Sequence, residues 1–199
     1  MSYPAFFDSA PGITMQDPLS ELLGAATNGI IEYSYSDVVK LAGHSCPTVA
    51  GAYLMTRNAL KALHRDTLPK RGGIRVEFRD NALDGVTGVI ANVVGFITGA
   101  TVDTGFKGLA GQYDRRNLMS FGAPIDGEIR FQRLDTQESI VVDFHAKIVP
   151  APPTLMPALN GILKGQADQA ARDEFAHDWQ ERVRQILAHA DHPDLVTFS

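Results

Sequence analysis

Apolar and polar positions along this chain change period several times, and each change marks an element. From residue 47 to about 64, Val49, Tyr53, Leu60 and Leu63 fall near one stripe at helical spacing, which predicts an amphipathic helix. Within it Ala50, Gly51 and Ala52 are small enough to let another backbone come close. Ile74, Val76 and Phe78 then alternate with Arg75, Glu77 and Arg79, the pattern of a half-buried strand. Residues 86–97 are apolar almost all round apart from Thr87 and Asn92, and predict a buried central helix. Their β-branched content keeps a buried strand as the alternative. If the helix forms, Asn92 is expected to be buried and to need polar partners. Over 139–149 the alternation is clean, with Ile140, Val142, Phe144, Ala146 and Ile148 on one face and Asp143, His145 and Lys147 on the other. Joined to 128–134 across Asp135-Thr136-Gln137-Glu138, this predicts a hairpin.

Punctuation residues set the remaining boundaries. Residues 1–14 carry Pro, Gly and aromatics and read as an ordered arm or a frayed end. Asp17 before Pro18 is a good N-cap followed by proline at the first helical position. Residues 29–34 look like a short strand with Ile31, Tyr33 and Tyr35 on one face, and 37–42 like a helix stopped by Gly43. The proline-rich stretch 150–157 opens a linker, so the chain divides into a core over 1–149, a linker over 150–166 and a helix over 167–190. Phe175, Trp179, Val183, Ile186 and Leu187 form that helix's apolar stripe. The expected class is α+β, with an antiparallel or mixed sheet, a buried central helix, further helices packed on it, and a long C-terminal amphipathic helix.

Composition narrows the function. The 199 residues suit one domain with an extension, and 44% hydrophobic against 21% charged residues predicts a packed core. A net charge of −5 without a Lys/Arg run makes nucleic acid an unexpected partner. No basic segment leads into a long apolar run near the start, and no apolar stretch reaches the ~20 residues of a membrane span. The single cysteine excludes an intrachain disulfide and a four-cysteine zinc ribbon. A cytoplasmic protein without a membrane partner is therefore expected.

His44-Ser45-Cys46-Pro47 is the chemically densest point. Gly43 ends one helix and Pro47 suits the start of another, so His44 and Cys46 lie in the connecting turn. A cysteine at a helix N-terminus has its thiolate favoured by free N–H groups and the helix dipole. With an imidazole two residues away, the pair can chelate a soft or borderline metal, act as nucleophile and base, or simply pack. A second candidate region follows the apolar segment, where glycine-rich backbone with Thr98, Thr101, Asp103, Thr104 and Lys107 suits a pocket for an anion or oxygen-rich ligand, or a plain surface loop. Asn92 and Asn117 are candidates for the same pocket. His145 reads as solvated, and His189 and His192 with Asp191 and Asp194 read as a frayed tail.

Gly43-His44-Ser45-Cys46-Pro47, followed by Gly51-Ala52-Tyr53-Leu54-Met55, resembles the His-Gly-His-x-Cys-Pro-Gly…Gly signature of the FmdE-like family, named after a component of formylmethanofuran dehydrogenase. Phe96-Ile97-Thr98-Gly99-Ala100-Thr101 resembles that family's second block, and Arg116-Asn117-Leu118 through Phe121-Gly122 loosely resembles its third. The blocks occur in the family's order. The resemblance implies an α+β core, a homodimer, and a metal site with His44 and Cys46 as ligands. The metal implied is a divalent ion, zinc first, with nickel, copper and iron open. Three departures accompany it. Ala42 stands for the family's first histidine, its second-block cysteine and aspartate fall near Val89 and Asn92, and no cysteines remain for a C-terminal zinc finger. Asp103, Asn117 and His145 are the residues then available to complete the site.

Three functions follow as expectations: a dimeric metal-binding protein, a metal-free thiol enzyme using Cys46 with His44 as base, or a noncatalytic interaction module built on the terminal helix.

Overall fold

A computed structural model of the chain describes residues 3–199. The first two residues of the arm, Met1 and Ser2, lie outside the described residues. From Tyr3 the arm is ordered: a 3-10 turn over Ala5–Ser9 seats Phe7, 2% exposed, edge-on against the ring of Tyr35.

Strand β1 (Ile13–Gln16) pairs antiparallel with β2 (Ile30–Tyr33). Between them stands the short helix α1 (Pro18–Leu22), where the Asp17 carboxylate accepts from the Leu19 and Ser20 amides as its N-cap. Helix α2 (Tyr35–Ala42) starts at a reciprocal capping box between Ser34 and Asp37 and stops at Gly43, φ +74. Tyr35 is thus the first residue of a helix, and not the last inward residue of a strand, because the Ser34 cap turns the chain.

Helix α3 (Pro47–His64) is the spine of the molecule, with twelve of its residues buried. It lies across a five-stranded sheet of order β4-β3-β5-β6-β7. In that sheet β3 (Ile74–Phe78) pairs in parallel with β4 (Met119–Ser120) and antiparallel with β5 (Ile129–Arg133). β6 (Ser139–Phe144) pairs antiparallel with β5 on one side and with β7 (Val196–Phe198) on the other. Ile74, Val76, Phe78, Ile129, Phe131 and Val142 point into the core under α3. The opposite face carries polar pairs across strands, such as Arg130 to Glu77 at 2.6 Å and Arg75 to Gln132 at 3.2 Å.

The apolar segment is helix α4 (Thr87–Thr98), packed on α3 and α2 and closed by Gly99 at φ +75. Its backbone bonds are met within the helix, so its β-branched residues need no sheet partner. Helix α5 (Leu155–Leu163) packs on α6 (Gln169–Ala188), which in turn lies on α3.

Three expectations are corrected. The last strand of the hairpin ends at Phe144; Ala146–Ile148 form a 3-10 turn, and Ile148 is 39% exposed while Val149 is buried. Arg182 of α6 supplies the reason, since it donates to the carbonyls of Ala146 and Val149 in place of a neighbouring strand. The stretch 150–166 contains α5, because Pro157 falls in its first turn, where a missing N–H breaks no helical bond. The C-terminal residues are no frayed tail. Asp191 pairs with Arg57 at 2.9 Å and Lys61 at 3.2 Å, and β7 completes the sheet.

Candidate functional site

The turn between α2 and α3 is fixed by its ends. Gly43 takes the left-handed conformation, and Cys46 is the extended N-cap of α3, its Sγ accepting from the Val49 amide at 3.4 Å. Ser45, between the two candidate residues, is held from three directions. Its hydroxyl lies 3.0 Å from the Tyr35 hydroxyl, and its carbonyl accepts from Trp179 Nε1 at 3.0 Å and Gln180 Nε2 at 3.1 Å. Burial pushes the Tyr35 phenol well above its ordinary pKa despite the Ser45 bond, so it stays neutral and able to donate. The C-terminal helix therefore clamps this turn, a role that its apolar stripe did not announce.

His44 is exposed, and its Nδ1 lies 3.0 Å from the carbonyl of Ala42. A carbonyl only accepts, so Nδ1 carries a proton, and in the neutral ring the lone pair is then on Nε2. Cys46 is 9% exposed, and its sulfur already serves the helix. Among the described residues no three or more His, Cys, Asp or Glu side chains gather as a metal group. Neither Asp103 nor His145 joins the pair; Asp103 is exposed, and His145 Nε2 lies 2.8 Å from the Thr197 hydroxyl. Asn117 is exposed at φ +57, its backbone amide bonded to the Val102 carbonyl. A structural zinc takes four protein ligands and a catalytic one about three. Two donors from one chain do not fit a resident zinc by themselves.

The pocket candidates divide. Asn92 is exposed, because α4 buries Ala91, Val93, Val94 and Ile97 and turns Asn92 outward, which corrects the expectation of a buried amide. Gly88, Asn92, Gly95 and Phe96, at i, i+4, i+7 and i+8, line one open face of α4 above a cavity of about 510 Å³. Thr101 and Thr104 share that cavity, and Leu41, Val102, Met119 and Phe121 give it an apolar wall. Thr98 is fully buried and bonded within the helix, its hydroxyl donating to the Val94 carbonyl at 2.7 Å. Asp103, Lys107 and Asn117 are exposed and do not line this cavity. The structure thus brings together Asn92, Thr101 and Thr104 and separates the rest.

A second cavity, of about 390 Å³, shares Gly95 and Thr101 with the first. It holds a group for which sequence reading had no local signal. The Asp17 carboxylate accepts from Arg115 Nη2 at 2.6 Å and from Arg71 Nη1 at 3.2 Å, linking positions as far apart as 98 residues. Arg71 Nη2 also donates to the Phe96 carbonyl at 3.1 Å. Burial works to raise the Asp17 pKa, but the Arg115 bond, the Ser20 amide and Arg71 outweigh it and hold the carboxyl below its ordinary range.

No family model, no curated protein and no solved structure matches the chain. Among the described residues no helix is long and apolar enough to cross a membrane. Function is therefore argued from the site itself.

Proposed function

We propose that the protein binds a small, largely apolar molecule with one polar end in the groove along α4, as a divergent member of the FmdE-like family. The open Gly88–Asn92–Phe96 face carries this reading. A helix this apolar is normally covered on all sides, yet here one face stands above a cavity of ligand size, within the range of about 300–1,000 Å³ usual for small-molecule sites. Phe96, Phe121 and Met119 supply contact area, while the Asn92 amide and the Thr101 and Thr104 hydroxyls stand where a carbonyl, amide or hydroxyl of the ligand would be oriented. Thr101 is itself fixed, its hydroxyl donating to the Arg115 carbonyl at 2.6 Å.

The test is a ¹⁵N-detected screen of small amphiphiles against the full chain. Saturable shifts of the Gly88, Asn92, Gly95 and Thr101 amides are expected, abolished in Asn92→Trp, whose indole fills the groove from an exposed position. Shifts that persist unchanged in Asn92→Trp place the ligand elsewhere and defeat the proposal. If the native protein is dimeric by light scattering and Asn92→Trp is monomeric, the groove is an interface between copies of the chain and the ligand reading fails.

One observation favours a second reading. A histidine whose Nδ1–H is held by a backbone carbonyl, leaving Nε2 free, has the arrangement that orients metal ligands. Two copies of the turn, each giving His44 and Cys46, would make a four-ligand divalent-metal site, zinc first, shared across a homodimer. Metal analysis of tag-free protein then gives about half an equivalent per chain, lost in both His44→Ala and Cys46→Ala. Metal-free wild-type protein would end this reading and leave the groove proposal untouched.

A further inference from the structure

The Asp17–Arg71–Arg115 group carries two positive charges against one negative. Its members are deep: the Arg115 side chain is 6% exposed, Asp17 5% and Arg71 23%. Arg115 Nη1 and Arg71 Nε are buried and have no hydrogen-bond partner among the described residues. Asp114, next to Arg115 in the chain, pairs instead with Arg116 at 2.7 Å, and among the described residues Asp17 is the only carboxylate in a salt bridge with Arg71 or Arg115. A buried positive charge with unmet donors is unfavourable unless something answers it.

The surroundings show where the answer fits. A Cβ on Gly99 would stand 2.6 Å from Arg115 Nη1, and one on Gly72 would stand 3.1 Å from its Nε. Two glycines at positive φ therefore clear room for the guanidinium, and Gly99, Arg115, Arg71 and Asp17 all line the same cavity of about 390 Å³. The rest of its wall is largely apolar, with Leu19, Leu23, Ile31 and Phe106.

We propose that this cavity is a binding site for a small organic carboxylate, the carboxylate meeting Arg71 and Arg115 and the apolar body lying against Leu23 and Phe106. One surplus charge calls for one counter-charge. A carboxylate carries one, whereas a phosphate near neutral pH carries about 1.5–2 and would overcompensate. The planar fork of a guanidinium matches a carboxylate in two-point contact. The proposal does not depend on the α4 groove.

The test uses the full ¹⁵N-labelled chain titrated with hexanoate, with hexanol and inorganic phosphate as separate probes. Hexanoate is expected to shift the Arg71 Nε–H signal and the Gly99 and Phe106 amides saturably. Arg71→Gln, which keeps the Asp17–Arg115 pair, should weaken hexanoate about tenfold or more. Should Arg71→Gln fail to fold, Leu23→Asp puts a negative charge at an exposed position of the cavity wall and is expected to weaken hexanoate while preserving the fold. Equal shifts with hexanol, tighter binding of phosphate, or no response to millimolar hexanoate would each overturn the proposal.

Discussion

Gly51→Ala puts a methyl group where α3 meets the sheet. Built on the present backbone, the new Cβ would lie 2.5 Å from both Cδ1 and Cε1 of Phe144 and 2.9 Å from its Cγ. Non-bonded carbons prefer about 3.5–4.0 Å, so the ring must retreat by about 1 Å. Two effects compete. Alanine is favoured over glycine in a helix interior by ~1 kcal/mol, while forcing a methyl group into a filled site costs about 1–3 kcal/mol. The obstacle is a ring and not a flexible side-chain end, but Phe144 is only half-buried and can swing toward solvent. Taking ~2 kcal/mol for the clash, the variant is expected to be less stable by ~1 kcal/mol, a drop in melting temperature of roughly 2–4 °C for a chain this long. In a Phe144→Ala background the obstacle is gone, and the same substitution should stabilise by up to ~1 kcal/mol. Urea unfolding followed by far-ultraviolet circular dichroism on the four proteins of this cycle gives the coupling directly. A Gly51→Ala variant more stable than wild type, or an effect of the same sign in both backgrounds, would refute the argument.

Three further outcomes are expected. His64 is buried with Nε2 unpartnered, and burial, with Arg133 nearby, lowers its pKa. The unfolded chain therefore takes up this proton first, and stability falls as pH drops below about 6.5; His64→Leu should flatten that part of the urea midpoint–pH curve, and an unchanged slope would refute the assignment. Asp17→Asn leaves two guanidiniums without their carboxylate and should cost about 3–5 kcal/mol by urea unfolding. Because the folded Asp17 pKa is depressed, ionisation of Asp17 also contributes to wild-type stability above the ordinary value of 3.8, and that contribution is lost as pH falls below it; a loss under about 1 kcal/mol in the variant would show the group to be solvated. Trp179→Phe removes one of two donors to the Ser45 carbonyl, should cost about 1 kcal/mol, and should speed alkylation of Cys46 by loosening its turn; an unchanged labelling rate argues against the clamp.

What the sequence disclosed, it disclosed through local chemistry. Asp17-Pro18, the Gly43 stop and Cys46-Pro47 all act within a turn of their own backbone, and each marks the boundary found in the structure. The 135–138 hairpin connection is equally local, and β5 and β6 pair across it. What stayed hidden depends on distant partners. β7 exists because Val142 and Phe144 offer an open edge, and nothing in Val196-Thr197-Phe198 alone distinguishes a strand from a loose end. Asn92 turned out exposed because composition shows how apolar a helix is, but not which side its neighbours leave open. Arg71 and Arg115 look like any surface arginines until the fold brings both to Asp17. For the site, the turn holding His44 and Cys46 was legible, whereas the division of the pocket candidates between a groove wall and exposed loops was not.

The indole that holds the Ser45 carbonyl belongs to the only tryptophan in the chain. The protein thus carries its one indole fluorophore at the junction between its last long helix and the His44–Cys46 turn. Its emission is one signal from one place, free of the averaging that confuses proteins with several tryptophans. Detachment of α6 should move that emission to longer wavelength and open it to a quencher such as acrylamide. A ligand or ion reaching the turn should change its intensity without the shift. Opening of the helix and occupation of the turn can therefore be told apart in one cuvette, without a label.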